Sequence, residues 1–204
     1  MKKIFLFVVL LVTSITTAQK MEILSGNFQN LKEIHEYNLA FDYSGVKVDR
    51  VSEEEFLADR MKKREGNGND IKFKNSWFAD RENRYEPKFI TSFNQRFKTG
   101  TVKVEKNNSN SKYTLLVKTT WIHPGFNVGV MHNSALIIAV LTVFETANPS
   151  HTLLSVKYEK VGGKGKFAGP LGFLDYNAGY RISESYAKLA KTFASHIKRK
   201  NKIK

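Results

Sequence analysis

The chain has 204 residues, no cysteine, and 33 lysines and arginines against 19 acidic residues, a formal charge of +14. Without a thiol there is no disulfide framework, no thiolate metal site, no thiol catalysis and no lipid-modified cysteine. A chain of this length suits one domain, which buries roughly 70% of the surface its unfolded form exposes and needs no covalent staple.

The first element is a targeting segment. Met1-Lys2-Lys3 precedes the apolar run Ile4 to Val12 and the small-residue exit TSITTAQ. A charged start, a short greasy core and a cleavage point after Ala18 make residues 1–18 a secretory signal peptide. The run falls well short of the about 20 residues that a membrane span needs. Residues 19–204 are then one exported domain, periplasmic or secreted and not lipid-anchored. Its formal charge is +12, and the closing KRKNKIK reads as a solvated basic tail.

In HEYNLAFDY, residues Tyr37, Leu39, Phe41 and Tyr43 recur at period two, the pattern of a half-buried strand. Past Gly45 the apolar positions become Val46 and Val48, which calls for a bulge or bend at Ser44-Gly45. Ser52 with Glu55 is a capping box, and Glu53, Glu54 and Glu55 suit the positive end of a helix. EGNGND is a loop. Trp77, Arg81, Tyr85, Phe89, Phe93 and Phe97 then fall every four residues, the core stripe of a second helical region. Pro87 interrupts it, so the main helix is expected to start near Glu86, after a separate turn from Ser76, and to end at Gly100.

Strands follow. TVKVE is short and alternating, and in KYTLLVKTTWI residues Tyr113, Leu115, Val117, Thr119 and Trp121 share a face. ALIIAVLTVF is apolar on both faces, which predicts a central strand with a helix crossing behind it. In HTLLSVKYE, Leu154, Val156 and Tyr158 face in, opposite Ser155, Lys157 and Glu159. The glycine-rich GGKGKFAGPLGF is a loop, and a last helix from about Tyr180 carries the stripe Ile182, Tyr186, Leu189, Phe193 and Ile197. The sum is an α+β domain: a single sheet of about five mostly antiparallel strands packed by two or three helices.

FDYSGVKV, SEEEF, YEPKFI, YTLLVKTTWIHPGFNVG, ETANPS and YRISESYAKLAK together resemble a group of small secreted proteins of Gram-negative bacteria with no assigned activity. More distantly, the order of elements looks like the periplasmic α+β domains of the curli secretion lipoprotein and of the activators of penicillin-binding proteins. Those domains assemble or bind other proteins, which implies a non-catalytic role. This chain lacks their lipidated cysteine, and no functional residue is carried over.

Two loops hold the residues with chemical potential. In WIHPGFNVGVMHN, a tight turn at Phe126 to Gly129 would set His123 and His132 face to face across a hairpin. Zinc would need a third ligand, which the neighbouring sequence does not supply, so a plain hairpin is expected and no metal or cofactor. GGKGKFAG offers lysines among glycines without the spacing of a phosphate-binding loop. Asp175 near Arg181 fits a capping carboxylate at a helix start. There is no GxSxG, and no pair of carboxylates is singled out, so nothing motivates catalysis.

Loops on a rigid sheet are where partners meet a domain. Trp121, His123, Phe126 and His132 in one loop, and Lys164, Lys166 and Phe167 in the other, are the candidate partner-binding surface, with Trp121 and Phe126 as anchors. The leading reading is a non-catalytic cell-envelope module that binds a protein or self-associates. The alternative is a peripheral binder of anionic lipid or polysaccharide, from the charge balance. A third is an enzyme whose site is assembled from dispersed residues. In an exported chain no nucleic acid partner is expected.

Overall fold

The computed structural model describes residues 20–97, 100–128, 131–163 and 177–202. The expected signal peptide and the residues Lys164, Lys166, Phe167 and Asp175 lie outside them. In chain order the elements are β1 (Lys20–Gly26), β2 (Glu36–Asp42), β3 (Lys47–Val48), β4 (Val51–Ser52), α1 (Glu53–Lys62), α2 (Asn69–Asp80) and α3 (Glu86–Asn94). There follow β5 (Lys103–Lys106), β6 (Tyr113–His123), β7 (Phe126–Val128), β8 (Met131–Asn133), β9 (Leu136–Glu145), β10 (Asn148–Gly162) and α4 (Ala178–Asn201).

Among the described residues the main sheet has eight strands, in the order β1-β10-β9-β6-β2-β5, with β3 on β6 and β4 on β3. It is α+β as expected, but larger than five strands and mixed rather than mostly antiparallel. β2 runs parallel to both β5 and β6 because the helices α1 to α3 intervene, and a helical crossover returns the chain in the same direction. The extra strands are β1, an exposed edge with little alternation, and the two-residue β3 and β4. The expected bend is at Ser44-Gly45: Gly45 has φ +69°, and the Ser44 N–H donates to Asp42 Oδ1 at 2.7 Å. Beyond it Val46 and Val48 are buried and β3 rejoins β6.

α1 begins on the Ser52–Glu55 capping box. α3 starts at Glu86 as expected, but no separate turn from Ser76 precedes it: α2 already runs from Asn69 through Ser76, and the helix continues past Pro87. α2 and α3 are joined by a single π-turn, Arg81–Tyr85, whose Glu86 N–H bonds back to the Arg81 carbonyl. Proline lacks an N–H and its ring collides with the carbonyl four residues back, here Asn83; the widened turn takes up both defects without ending the helix. The stop is also earlier than expected. The helix ends at Asn94, and Gly100 closes a later turn, its N–H on the Phe97 carbonyl at 2.9 Å.

α3 and α4 cover one face of the sheet. Tyr37 meets Phe93 edge-on at 6.5 Å and Phe41 meets Phe89 at 5.7 Å, while Tyr85 stacks on Tyr186 at 5.2 Å. The stripe Ile182, Tyr186, Leu189, Phe193 and Ile197 is fully buried, as are Leu154, Val156 and Tyr158. The basic C-terminal residues, expected as a loose tail, instead extend α4 to Asn201, and the Gln29 side chain donates to the Lys200 carbonyl at 3.2 Å. Two expectations about the outer face are overturned. No described helix crosses behind β9. Trp121, in phase with Leu115 by alternation, lies on that outer face. Between Thr119↔Ala139 and Trp121↔Ile138 the pairing slips by one residue, a bulge at Thr120 that turns Ile122 into the core instead.

Candidate functional site: an arginine- and aromatic-lined cleft

α1 and α2 form an antiparallel pair held by aromatic packing, with the Phe56 ring 4.9 Å from Trp77 and 6.5 Å from Phe73. Facing this pair are the β6–β7 corner at Pro124-Gly125 and the N-terminus of α4. Between them lies a cleft of about 690 Å³, reached by Arg60, Arg64, Arg84 and Arg181 and by Phe56, Phe73, Trp77 and Phe126.

The four arginines differ in role. Arg181 is buried and structural: Nε donates to the Pro124 carbonyl at 3.1 Å and an Nη to that of Gly125 at 3.2 Å, fixing the corner to α4. Gly125 itself has φ +65°, and a Cβ there would lie 2.3 Å from the Asn133 carbonyl oxygen, so the corner demands glycine. Arg84 pairs with Asp80 at 2.7 Å. Arg60, on α1, and Arg64, in the turn just past its C-terminal end, make no ion pair among the described residues. Their guanidinium groups lie over the rings of Phe56 at 5.3 Å and Phe73 at 4.4 Å. Arg64 also donates to the Arg60 carbonyl at 2.9 Å. A guanidinium laid on a ring keeps its edge N–H donors free for an incoming anion.

The acids of the cleft are engaged elsewhere. Burial raises the carboxyl of Asp80 above the usual carboxylate range, and Arg84 opposes the rise. That carboxylate abuts Gly179 at the start of α4, where a Cβ would fall 1.8 Å from its Oδ2. It thus stands at the positive end of a 24-residue helix, whose own cap is Asn177, accepting from the N–H groups of Gly179 and Tyr180. The cap is therefore Asn177, with Arg181 turned to the β6–β7 corner.

Asp49 has a left-handed backbone, φ 54°, and joins the cleft to the outer face. The Trp121 indole donates to its carbonyl at 2.7 Å, and His123 Nδ1 meets its carboxylate. The two rings stack, 6.1 Å apart and 13° from parallel. Trp121 and His123 thus come together on Asp49, and Phe126, 44% exposed, stands at the cleft's corner. The register does not set His132 against His123. β7 and β8 pair Phe126 with Asn133 and Asn127 with His132, while His123 lies opposite Leu136. That register is centred beyond the Asn127-Val128 midpoint set by the symmetry of the histidines. The described residues hold no group of three or more histidines and acids able to ligate a metal.

Sequence reasoning missed Arg60, Arg64 and Arg84. The available signal was the spacing Phe56, Arg60, Arg64, which puts aromatic and cations on one side of α1 and the turn that follows it. A larger groove of about 940 Å³ lies across α2, beside β2. Three of the charged groups on its wall are already paired: Arg81 grips Glu53 at 2.6 Å and lies 4.5 Å from the Tyr43 ring, and buried Glu86 pairs with Lys106. Burial drives the Tyr43 phenol far above its ordinary range, so it stays a neutral donor toward Glu86 at 3.4 Å.

Fold and site define an α+β domain, with helices on one face of an open sheet and a cationic, aromatic cleft at one end. No known family matches the chain, and no curated protein matches its sequence, so the resemblance to the curli lipoprotein gains no support. Among solved structures it is similar to a PelC dodecamer from Paraburkholderia phytofirmans, 10% identical at a TM-score of 0.35 over 83% of this chain and 96% of that one. A point variant of the same dodecamer matches with the same identity and TM-score, over 99% of its chain. A likeness this loose transfers no ligand and no residue. No described helix is long and apolar enough to cross a membrane.

Proposed function

We propose that the protein is an exported, non-catalytic module of the cell envelope that binds an acidic polysaccharide in the cleft between α1, α2 and α4. The observation that carries this reading is the pair Arg60 and Arg64, held on phenylalanine rings without a carboxylate partner. Carboxylates of a uronate chain suit the planar guanidinium fork, and the apolar faces of its sugar rings suit Phe73 and Phe126. The volume is in the range of ordinary ligand sites. The field of a strongly basic chain adds to the on-rate and makes binding salt-sensitive.

The test is titration with polygalacturonate and with neutral dextran, for residues 19–204 and for the double variant R60A/R64A. Each charge-assisted contact is worth about 1.5–3 kcal/mol, so the double variant is expected to bind at least about tenfold more weakly. Affinity should fall with added salt, and dextran should not bind. Equal affinity in the variant refutes the site. A protein partner is the second reading, favoured by exposed Phe126 at the corner. A complex with the envelope fraction that survives high salt would select it.

A further inference from the structure

An antiparallel sheet with one solvated face alternates apolar inside and polar outside. β9 does not. Ile137, Ala139, Leu141 and Val143 are buried under the helices, yet the outward row is Leu136, Ile138 and Val140. On β6 the register sets Leu116 beside Thr142, Lys118 beside Val140 and Trp121 beside Ile138. Leu116, Trp121, Leu136, Ile138 and Val140 therefore form an apolar strip on the two central strands. All the described helices pack on the opposite face.

Lys47, beside Trp121 on β3, has no ion pair among the described residues, but the two long flanks of the strip are neutral. On the β2 side Lys118 pairs with Asp42 at 2.8 Å; on the β10 side Lys157 pairs with Glu159 at 2.6 Å. In a chain of +14, this is a face on which each of the two flanking cations has its own anion. A second copy, which the basic field repels elsewhere, can approach here without leaving those charges unmatched.

We propose that this outer face is the interface of a homodimer, in which two copies pack sheet on sheet about a two-fold axis along the strands. That axis lays strip on strip and sets the Lys118–Asp42 flank of one copy against the Lys157–Glu159 flank of the other, pairs of mixed sign meeting pairs of mixed sign. Six strands about 4.8 Å apart, paired over about seven residues of about 3.3 Å each, give a footprint of about 670 Å² before side-chain relief. A stable interface of standard size needs about 800 Å² per partner. Cleft and strip meet only at one end, through Asp49 and Trp121; R60A/R64A and I138K/V140K both lie away from that link, so the two proposals fail separately.

Sedimentation of residues 19–204 over about 1–100 µM is expected to show a monomer–dimer equilibrium of micromolar strength. The double variant I138K/V140K places two lysines on the strip and should weaken dimerisation at least about tenfold. Its circular dichroism should keep the folded spectrum; its melting temperature should fall by a few degrees, because V140K sets a lysine between Lys118 and Lys157. The absence of cysteine allows a direct geometric check: a spin label on T142C, beside the strip, should report a distance under about 30 Å across sheets about 10 Å apart. A monomer at the highest concentration overturns the proposal. So does a dimer that survives I138K/V140K, or one without the short spin–spin distance. Binding to zwitterionic phosphatidylcholine vesicles by a chain that stays monomeric, lost in I138K/V140K, would assign the face to lipid instead.

Discussion

Replacing Gly179 by alanine at the start of α4 should destabilise the protein, against the usual rule that alanine improves a helix. Alanine exceeds glycine by about 1 kcal/mol in a helix interior, and by less near an end. Here its Cβ would lie 1.8 Å from Asp80 Oδ2 and 2.4 Å from Cγ, so the carboxylate must leave. Asp80 is 15% exposed and paired with Arg84, and departure forfeits that geometry together with its place at the helix N-terminus. Overpacking costs about 1–3 kcal/mol and the dipole contact about 0.5–1, which leaves a net loss of about 1–3 kcal/mol after the gain in propensity. For a chain of this size that lowers the melting temperature by roughly 2–12 °C. Urea unfolding followed by circular dichroism measures it, and a second background sharpens it. In D80A the obstruction is gone, so G179A should there be neutral or stabilising by up to about 1 kcal/mol. A G179A variant that is more stable than the unmodified chain, or a loss equal in both backgrounds, would refute the close approach of Asp80 to α4.

Gly163→Ala has no such escape, because its Cβ would meet the backbone carbonyl carbon of Glu184 at 2.2 Å; a loss of about 3 kcal/mol is expected in the same assay. Glu53→Gln leaves Arg81 without its carboxylate in a setting only 16–19% exposed, at a cost of about 2–3 kcal/mol, and a melting temperature unchanged within a degree or so would count against the pair. Trp121→Phe keeps the ring but loses the 2.7 Å donation to the Asp49 carbonyl, about 1 kcal/mol by denaturant titration. Burial, helped by Arg199 and Lys200, holds the His196 imidazole below its ordinary range. The unfolded chain therefore protonates first as pH falls through about 6.5, so this contribution is complete above that pH and is lost below it. Melting should drop between pH 7.5 and 5.5 with a shallower slope in His196→Gln, and identical slopes would exclude His196 as its source.

Contacts between residues near in sequence are legible in the sequence itself. Ser52 and Glu55 make a capping box from residues three apart, and the four-residue ladder from Trp77 to Phe97 states one face of a helical region whatever lies against it. The bend at Ser44-Gly45 is visible as a change of phase. Pro87 marks the start of α3 at Glu86, as the sequence suggests, but not a break from what precedes it, since a π-turn relieves proline when tertiary packing on both sides holds the helix together.

The cleft is not legible in the same way. Trp121, His123 and Phe126 stand out as unusual residues in one loop, but the meeting of Trp121 and His123 on Asp49 depends on β3 pairing with β6 across more than seventy residues of sequence. The symmetry of the loop pairs His132 with His123, whereas the register pairs it with Asn127. Arg60 and Arg64 have the spacing of solvated helix charges; only the packing of α1 on α2 brings Phe73 beneath Arg64 and sets both guanidiniums beside a cavity. By itself the sequence determined the class of fold, the faces of the helices and the phases of most strands, because period and capping are local properties of the chain. The tertiary structure decided the strand count, the parallel pairing of β2, the bulge that turns Trp121 outward and the cleft. Each of these depends on which distant segment lies alongside, and no local periodicity encodes that.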